Sequence, residues 1–272
     1  MSTSSSSSTP TPAPERLESP LIVSREKGVT FLTLNRPRQY NALSSALLDV
    51  LHDAVDAVAR DGDSRVLVIA ANGAAFCAGH DLKEMKLSAD AAFAATLFRR
   101  CSDLMLKLVR LPMPVIAEVQ GMATAAGCQL VAQCDLAVSA TSARFAVSGI
   151  NLGLFCSTPA VALSRTVSRK RAAEMLMTGE FIDASTALSW GLVNRVVEPA
   201  ELRAATLQLA ATLIEKPRNT LAEGKALLYR QLEAGITAAY ADATQAIACN
   251  FAQPDAQEGI SAFLEKRKPD WH

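Results

Sequence analysis

Two stretches of small residues are the places where this chain could do chemistry. One runs from Asn72 to Gly79 (NGAAFCAG) and the other from Gly121 to Gly127 (GMATAAG). Each follows a short, nearly all-apolar segment of the kind buried on both faces of a sheet, and each precedes a helical pattern. Glycine and alanine let the backbone approach a ligand closely. A helix start also leaves unpaired N–H groups at the positive end of its dipole. Two such loops on neighbouring strands would aim two N–H donors at one oxygen, forming an oxyanion hole for a carbonyl that gains negative charge. Spacing alone leaves a second reading open, in which the small residues only pack a helix tightly on a sheet.

Other chemistries have less material. The histidines are His52, His80 and His272, and no HExxH or CxxC…H spacing occurs, so no metal site is expected. A Ser-His-Asp triad has equally little to draw on. The six cysteines (Cys77, Cys101, Cys128, Cys134, Cys156 and Cys249) form no CxxC pair, which fits a reduced compartment.

The elements around the two loops alternate between strand and helix. Leu21–Glu26 and Val29–Asn35 read as a hairpin about Lys27-Gly28. Ser44 or Ser45 caps a helix with Leu47, Leu48, Leu51, Val55 and Val58 on one face. Arg65–Ala71, Pro114–Val119 and Asp135–Ala140 are short buried strands, and 89–110 is a long helix. The remainder is mostly helical from about residue 158, interrupted by Gly191–Val197. The expected class is therefore α/β, with a core over 21–200 and a helical region over 201–272.

The chain has 272 residues, with 27 Lys plus Arg balancing 27 Asp plus Glu. Zero net charge gives no electrostatic case for nucleic acid or an anionic membrane, and it makes an oligomer unsurprising. Residues 1–20 are dominated by Ser, Thr and Pro and are expected to be disordered. They show neither the apolar core of a signal peptide nor the Arg-rich helix of a transit peptide, so the expected location is cytoplasmic.

Several segments, in register, resemble the enoyl-CoA hydratase/isomerase (crotonase) superfamily: NRPRQYNAL (35–43), AFCAGHDLKEM (75–85), PVIAEVQGMATAAGCQL (114–130), CDLAVSA (134–140) and EGISAFLEKRKP (258–269). Within it, ATAAGCQL, NLGLFCSTP and the ending point to one subgroup. The resemblance implies a spiral of repeated ββα turns with a C-terminal helical trimerisation region, as a homotrimer or a hexamer built from two trimers. It implies an acyl-CoA thioester as ligand, with coenzyme A as part of the substrate and no permanently bound cofactor, in fatty-acyl or related CoA metabolism. The oxyanion donors become the backbone N–H groups of His80 and Ala126. The CoA-contacting positions become Arg38, Ala42, Asp81, Leu82, Lys83, Phe263 and Lys266, the last two often supplied by a neighbouring subunit.

The sequence departs from that pattern where the family's hydratases carry two glutamates. Here the positions hold Gln129 and Gly149. Water addition to an enoyl thioester needs a base for the water and an acid for the α-carbon, and neither an amide nor a glycine supplies them at neutral pH. Glu118 and Cys156 are the candidate stand-ins, each with a structural alternative: an ion pair for Glu118, a small buried hydrophobe for Cys156. Two classes stay open, an acyl-CoA lyase/isomerase with an unusual base and a non-catalytic acyl-CoA-binding or regulatory protein. Restoring both glutamates (Gln129→Glu with Gly149→Glu) is expected to raise hydration if the scaffold is intact.

Overall fold

Lys27 and Gly28 both take positive φ (49° and 79°) and turn the chain between β1 (Leu21–Glu26) and β2 (Val29–Leu34), which pair antiparallel. The computed structural model describes residues 19–88 and 90–271, so the expected disordered tail falls outside the described residues apart from its last two positions. Ser44 caps α1 (Ser45–Arg60) by accepting the Leu47 N–H, and the five predicted apolar positions of that helix are all buried.

Three ββα turns then follow. The first is β3 (Val66–Ala71), β4 (Ala75–Cys77), α2 (Leu82–Leu87) and α3 (Ala91–Arg110). The second is β5 (Val115–Val119), β6 (Met122–Thr124) and α4 (Ala126–Gln133). The third is β7 (Leu136–Ala140), β8 (Arg144–Ala146) and α5 (Ser157–Thr166). The chain continues through α6 (Arg169–Thr178), β9 (Ile182–Asp183), α7 (Ala184–Trp190) and β10 (Arg195–Val197). It ends in α8 (Leu202–Ile214), α9 (Arg218–Leu232), α10 (Ile236–Phe251) and α11 (Pro254–Leu264).

Each turn gives one strand to each of two sheets. The larger sheet runs β1-β2-β3-β5-β7-β10 and the smaller β4-β6-β8-β9. The central strands are buried on both faces because both are covered. Leu67, Ile69, Val115, Ala117 and Val119 pack with α1 and α3, whereas Val66, Val68, Ala70 and Ile116 pack with Leu202, Leu209 and Ala210 of α8. The boundary expected near residue 200 thus falls between the sheet and the helix that completes its core.

Both small-residue loops contain a strand where only loop was expected. β4 and β6 are three residues long and pair in parallel, Ala75 opposite Met122 and Cys77 opposite Ala123. A strand this short has no readable alternation, and its partner is remote in sequence. The backbones touch where glycine permits it: a Cβ on Gly127 would lie 2.1 Å from the Cys77 carbonyl oxygen.

Beyond α8 the helices are anchored by one buried group. Lys225 in α9 pairs with Asp135 at 2.7 Å and donates to the carbonyls of Leu108 and Met113. Farther out, Leu232, Ile236, Tyr240, Ile247 and Phe251 are exposed on α9 and α10. No helix among the described residues is long and apolar enough to cross a membrane.

Candidate active site

The first loop is held against the segment that precedes α1. The Leu43 N–H donates to the Gly79 carbonyl at 2.8 Å, and the Asp81 N–H donates to the Leu43 carbonyl at 3.2 Å. This is a one-residue parallel bridge between Leu43 and His80. In such a bridge the two bonds belong to the neighbours of His80, so its own N–H and C=O point away from Leu43. Ala126 opens α4, where an N–H has no partner within the helix. Neither N–H donates to a backbone acceptor among the described residues.

The two donors belong to abutting backbones. A Cβ on Gly79 would stand 2.9 Å from the Ala125 Cβ and 3.3 Å from the Ala126 nitrogen. Ala125 takes φ 50° and ψ −120° to turn β6 into α4, a conformation that costs a non-glycine residue about 1–3 kcal/mol and that clusters at functional sites. Its N–H donates to the Ala146 carbonyl at 3.0 Å, which ties the turn to the third repeat.

A cavity of about 320 Å³ opens onto both loops. Its wall includes His80, Ala125 and Ala126, apolar side chains from α2 and α3 (Leu82, Met85, Phe98), and the 148–159 segment. Ser148 in that segment shares a 2.8 Å hydrogen bond with Thr124. The His80 ring lies edge-on to Phe98 with centroids 5.1 Å apart, and neither ring nitrogen makes a hydrogen bond of normal geometry. Burial lowers its pKa, outweighing the nearby Leu43 backbone and the Glu84 carboxylate, which raise it, so the imidazole is neutral at pH 7. An apolar cavity with two unspent backbone donors and one neutral imidazole is suited to a thioester carbonyl bearing an apolar acyl group.

A family model described as enoyl-CoA hydratase/isomerase matches residues 24–272. The chain belongs to that family. The mouse enoyl-CoA hydratase domain-containing protein 3 is 45% identical over 261 residues, covering 96% of this chain and 87% of the relative. The crystal structure of an enoyl-CoA hydratase from Mycobacterium smegmatis aligns with a TM-score of 0.92 at 57% identity, covering 94% of this chain and all of that one. The human domain-containing protein 3 structure aligns with a TM-score of 0.90 at 45% identity, covering 93% and 100%. These relatives overturn the cytoplasmic expectation. The mouse, frog and human proteins are all named mitochondrial, which points to mitochondria rather than the cytoplasm. The cytoplasmic expectation rests on the composition of residues 1–20 alone, and composition does not fix a compartment.

Gln129 and Gly149, the positions where the resemblance implies glutamates, differ in their surroundings. Gln129 lies on α4 one turn after Ala126 and is 3% exposed, with its Oε1 unpartnered, and it is not part of the cavity wall. Gly149 is on the wall, but its N–H donates to the Cys156 Sγ at 3.2 Å. A Cβ there would sit 2.7 Å from that sulfur and 2.7 Å from the Leu154 carbonyl oxygen. The double glutamate substitution is therefore not expected to raise hydration on this backbone. Gly149→Ala alone should destabilise the fold by about 1–3 kcal/mol through overpacking. Thermal melts of Gly149→Ala and Gly149→Ala/Cys156→Ala check this. The double variant should recover only part of the loss, because the Leu154 carbonyl stays where it is.

The two stand-ins separate. Glu118 points to the other face of the large sheet, where it pairs with Arg203 of α8 at 3.0 Å, and Arg203 in turn lies over the Phe31 ring. Burial raises its pKa and Arg203 opposes the shift. It is absent from the cavity wall, so the relocated-base reading is corrected to the ion pair: strand parity puts Glu118 with Ile116 on the α8 face. Cys156 does line the cavity, but burial raises its pKa and keeps it a thiol, which corrects its nucleophile reading.

The expected CoA positions divide in the same way. Ala42 adjoins the Leu43 bridge, and Asp81 caps α2 by accepting from Lys83 and Glu84. Burial opposes ionisation of Asp81, but its bonds from Arg36 and these two N–H groups hold the carboxyl below the usual range. Leu82 and Lys83 are exposed beside it, and Arg38 is exposed in the turn before Ala42. Phe263 is 82% exposed at the end of α11, followed by Lys266 at φ 57°, and neither lines this chain's cavity.

Two organising residues were not anticipated. Arg36 donates to the Ala42 carbonyl and pairs with Asp81 at 3.1 Å, joining the 36–42 turn to the first oxyanion loop. Asn41, fully buried at φ 53°, accepts from the Arg36 N–H and donates to the carbonyls of Asn72 and Ala75. The only local signal was an asparagine in a turn, the residue type that tolerates positive φ.

Proposed function

We propose that this protein binds an acyl-CoA thioester and polarises its carbonyl between the N–H groups of His80 and Ala126, allowing an enolate to form. The observation that carries this reading is the pair of unspent backbone donors on abutting loops, both opening into one apolar cavity. A protein that only stored acyl-CoA would not need a strained Ala125 to start a helix at the carbonyl. Coenzyme A enters as part of the substrate. The 36–42 turn and the Asp81–Lys83 turn form one patch beside the cavity, suited to its phosphates and adenine. Ordinary hydratase turnover is weak or absent, because neither glutamate position offers a carboxylate.

The exposed apolar residues of α9 and α10 support assembly as a homotrimer or a dimer of trimers, with Phe263 and Lys266 reaching a neighbour's ligand. A second reading, a non-catalytic acyl-CoA-binding or regulatory protein, is favoured by Gln129 and Gly149. One experiment separates them. The protein is incubated with butyryl-CoA in heavy water, affinity is measured by calorimetry, and deuterium at the α-carbon is followed by mass spectrometry. Binding with exchange is the expected result. Binding without exchange would establish the second reading, and no preference for butyryl-CoA over free CoA would overturn both.

A further inference from the structure

We infer that the His80 imidazole is the base that removes the α-proton of the bound thioester. The inference rests on the acyl-CoA reading and adds to it the group that reading lacks.

The cavity wall makes the choice narrow. Apart from His80, its side chains that can exchange a proton are the hydroxyls of Ser148, Ser157 and Thr158 and the thiol of Cys156. Hydroxyls are poor bases at neutral pH, and Ser148 is engaged by Thr124. Cys156 is held as a thiol by its burial and already accepts the Gly149 N–H. Glu118 lies beyond the sheet, and Gln129 carries an amide. A neutral imidazole, by contrast, always has one nitrogen lone pair free.

The surroundings of the ring point the same way. Nδ1 and Nε2 have almost no accessible surface and make no hydrogen bond of normal geometry, the Leu43 backbone being the nearest polar group that acts on the ring. Buried polar groups are normally paired, because leaving one unpaired is costly. An apolar ring would make the edge contact with Phe98 without that penalty, so packing does not explain a histidine here. As placed, both nitrogens face the protein; a half-turn about Cβ–Cγ, which keeps the ring plane against Phe98 and exchanges nitrogen with carbon positions, is the rotation that brings a nitrogen to the ligand. Position also matters. The main chain of His80 supplies one oxyanion donor, so a thioester oxygen at that N–H brings its α-carbon next to the same residue's side chain.

The step balances without a co-reactant. The Cα–H bond breaks and the proton passes to the free imidazole nitrogen. The electron pair moves into the carbonyl, whose oxygen becomes negative against the N–H groups of His80 and Ala126. The imidazolium exchanges its proton with solvent, and return of a deuteron to Cα restores the neutral ring. Around this ring, Glu84 on α2 is the charged group acting on it, and Asp81 is neutralised by Arg36. α3 presents Phe98, and Cys156 at the start of α5 shares the cavity wall.

The test is α-proton exchange of butyryl-CoA in heavy water as a function of pH. The wild-type rate should fall at acid pH, on a limb lying below the ordinary histidine value because burial lowers the His80 pKa, since protonation removes the lone pair. His80→Ala and His80→Gln keep the backbone donor and should lose about 10²–10⁴-fold in rate, with butyryl-CoA affinity changing far less than the rate and the acid limb gone from any residual rate. Added imidazole should restore part of the rate to His80→Ala and none to His80→Gln. If His80→Ala does not fold, His80→Gln, which fills the same space, carries the comparison. Wild-type rates in either folded variant, or an acid limb of unchanged shape, would overturn the inference. So would a wild-type protein that binds butyryl-CoA without exchanging it, an outcome that leaves acyl-CoA binding standing. Absence of binding would overturn the underlying reading as well.

Discussion

Replacing Ala126 by proline should lower thioester α-proton exchange by about 10²–10³-fold. Proline has no N–H, so the substitution deletes one of the two donors at the carbonyl. It does so at the first residue of α4, where the missing N–H breaks no helical bond; because proline also restricts Ala125 before it, circular dichroism and a thermal melt first establish that the variant is folded. The stabilisation at stake is that of a donor aimed at charge that develops only during reaction, in a cavity whose wall is mainly apolar. The loss should therefore appear mainly in the rate and much less in the affinity for the thioester. Ala126→Gly keeps the N–H and should keep the rate. Mass-spectrometric exchange rates for the three proteins, with calorimetric affinities alongside, check the expectation. A proline variant that exchanges as fast as wild type would show that the Ala126 N–H does not serve the carbonyl.

Lys225→Met should cost about 3–5 kcal/mol of stability, the usual penalty for breaking one side of a buried ion pair. Lys225 is 8% exposed at its side chain, and its ammonium reaches Asp135 together with the carbonyls of Leu108 and Met113. Asp135 also accepts the Val115 N–H at 2.7 Å and the Tyr229 hydroxyl at 2.8 Å. Removing the ammonium leaves that carboxylate buried without its counter-charge and strands two carbonyls. The damage would not stay in α9. Leu108 to Val115 is the passage from α3 into β5, and β5 leads into the loop that carries Ala126. For a domain of this size the loss corresponds to a Tm lower by roughly 6–20 °C. Adding Asp135→Asn to Lys225→Met should recover part of it, because the unpaired charge is then gone. Thermal melts of the single and double variants decide it, and a Tm drop of under two degrees in Lys225→Met would refute the anchor.

Much of the scaffold could be read from the residues. The Lys27-Gly28 hairpin, the Ser44-capped helix with its five-residue apolar face, the short buried strands and the long helix before Arg110 all rest on patterns within a few residues. So do the two small-residue loops, and the motifs that resemble the family span nearly the whole chain. Helix and strand periods, caps and turn residues are properties of near neighbours, and near neighbours are what a linear sequence presents.

The composition of the site depended on contacts that no local pattern encodes. β4 and β6 exist only through pairing with strands remote in sequence, with each other and, for β6, with β8. The alternation of β5 shows that Glu118 shares a face with Ile116, but the helix that covers that face is α8, far along the sequence, and this removes Glu118 from the cavity. Gly149 reads as a lost glutamate, yet the turn that follows it returns Cys156 and the Leu154 carbonyl to the space a side chain would need. The His80 backbone role came from the family motif, but the buried setting of its ring became visible only with Phe98 and the cavity wall in place. Such features are set by the packing of remote segments, where a Cβ has room or a buried polar atom lacks a partner only after the whole chain has closed around it.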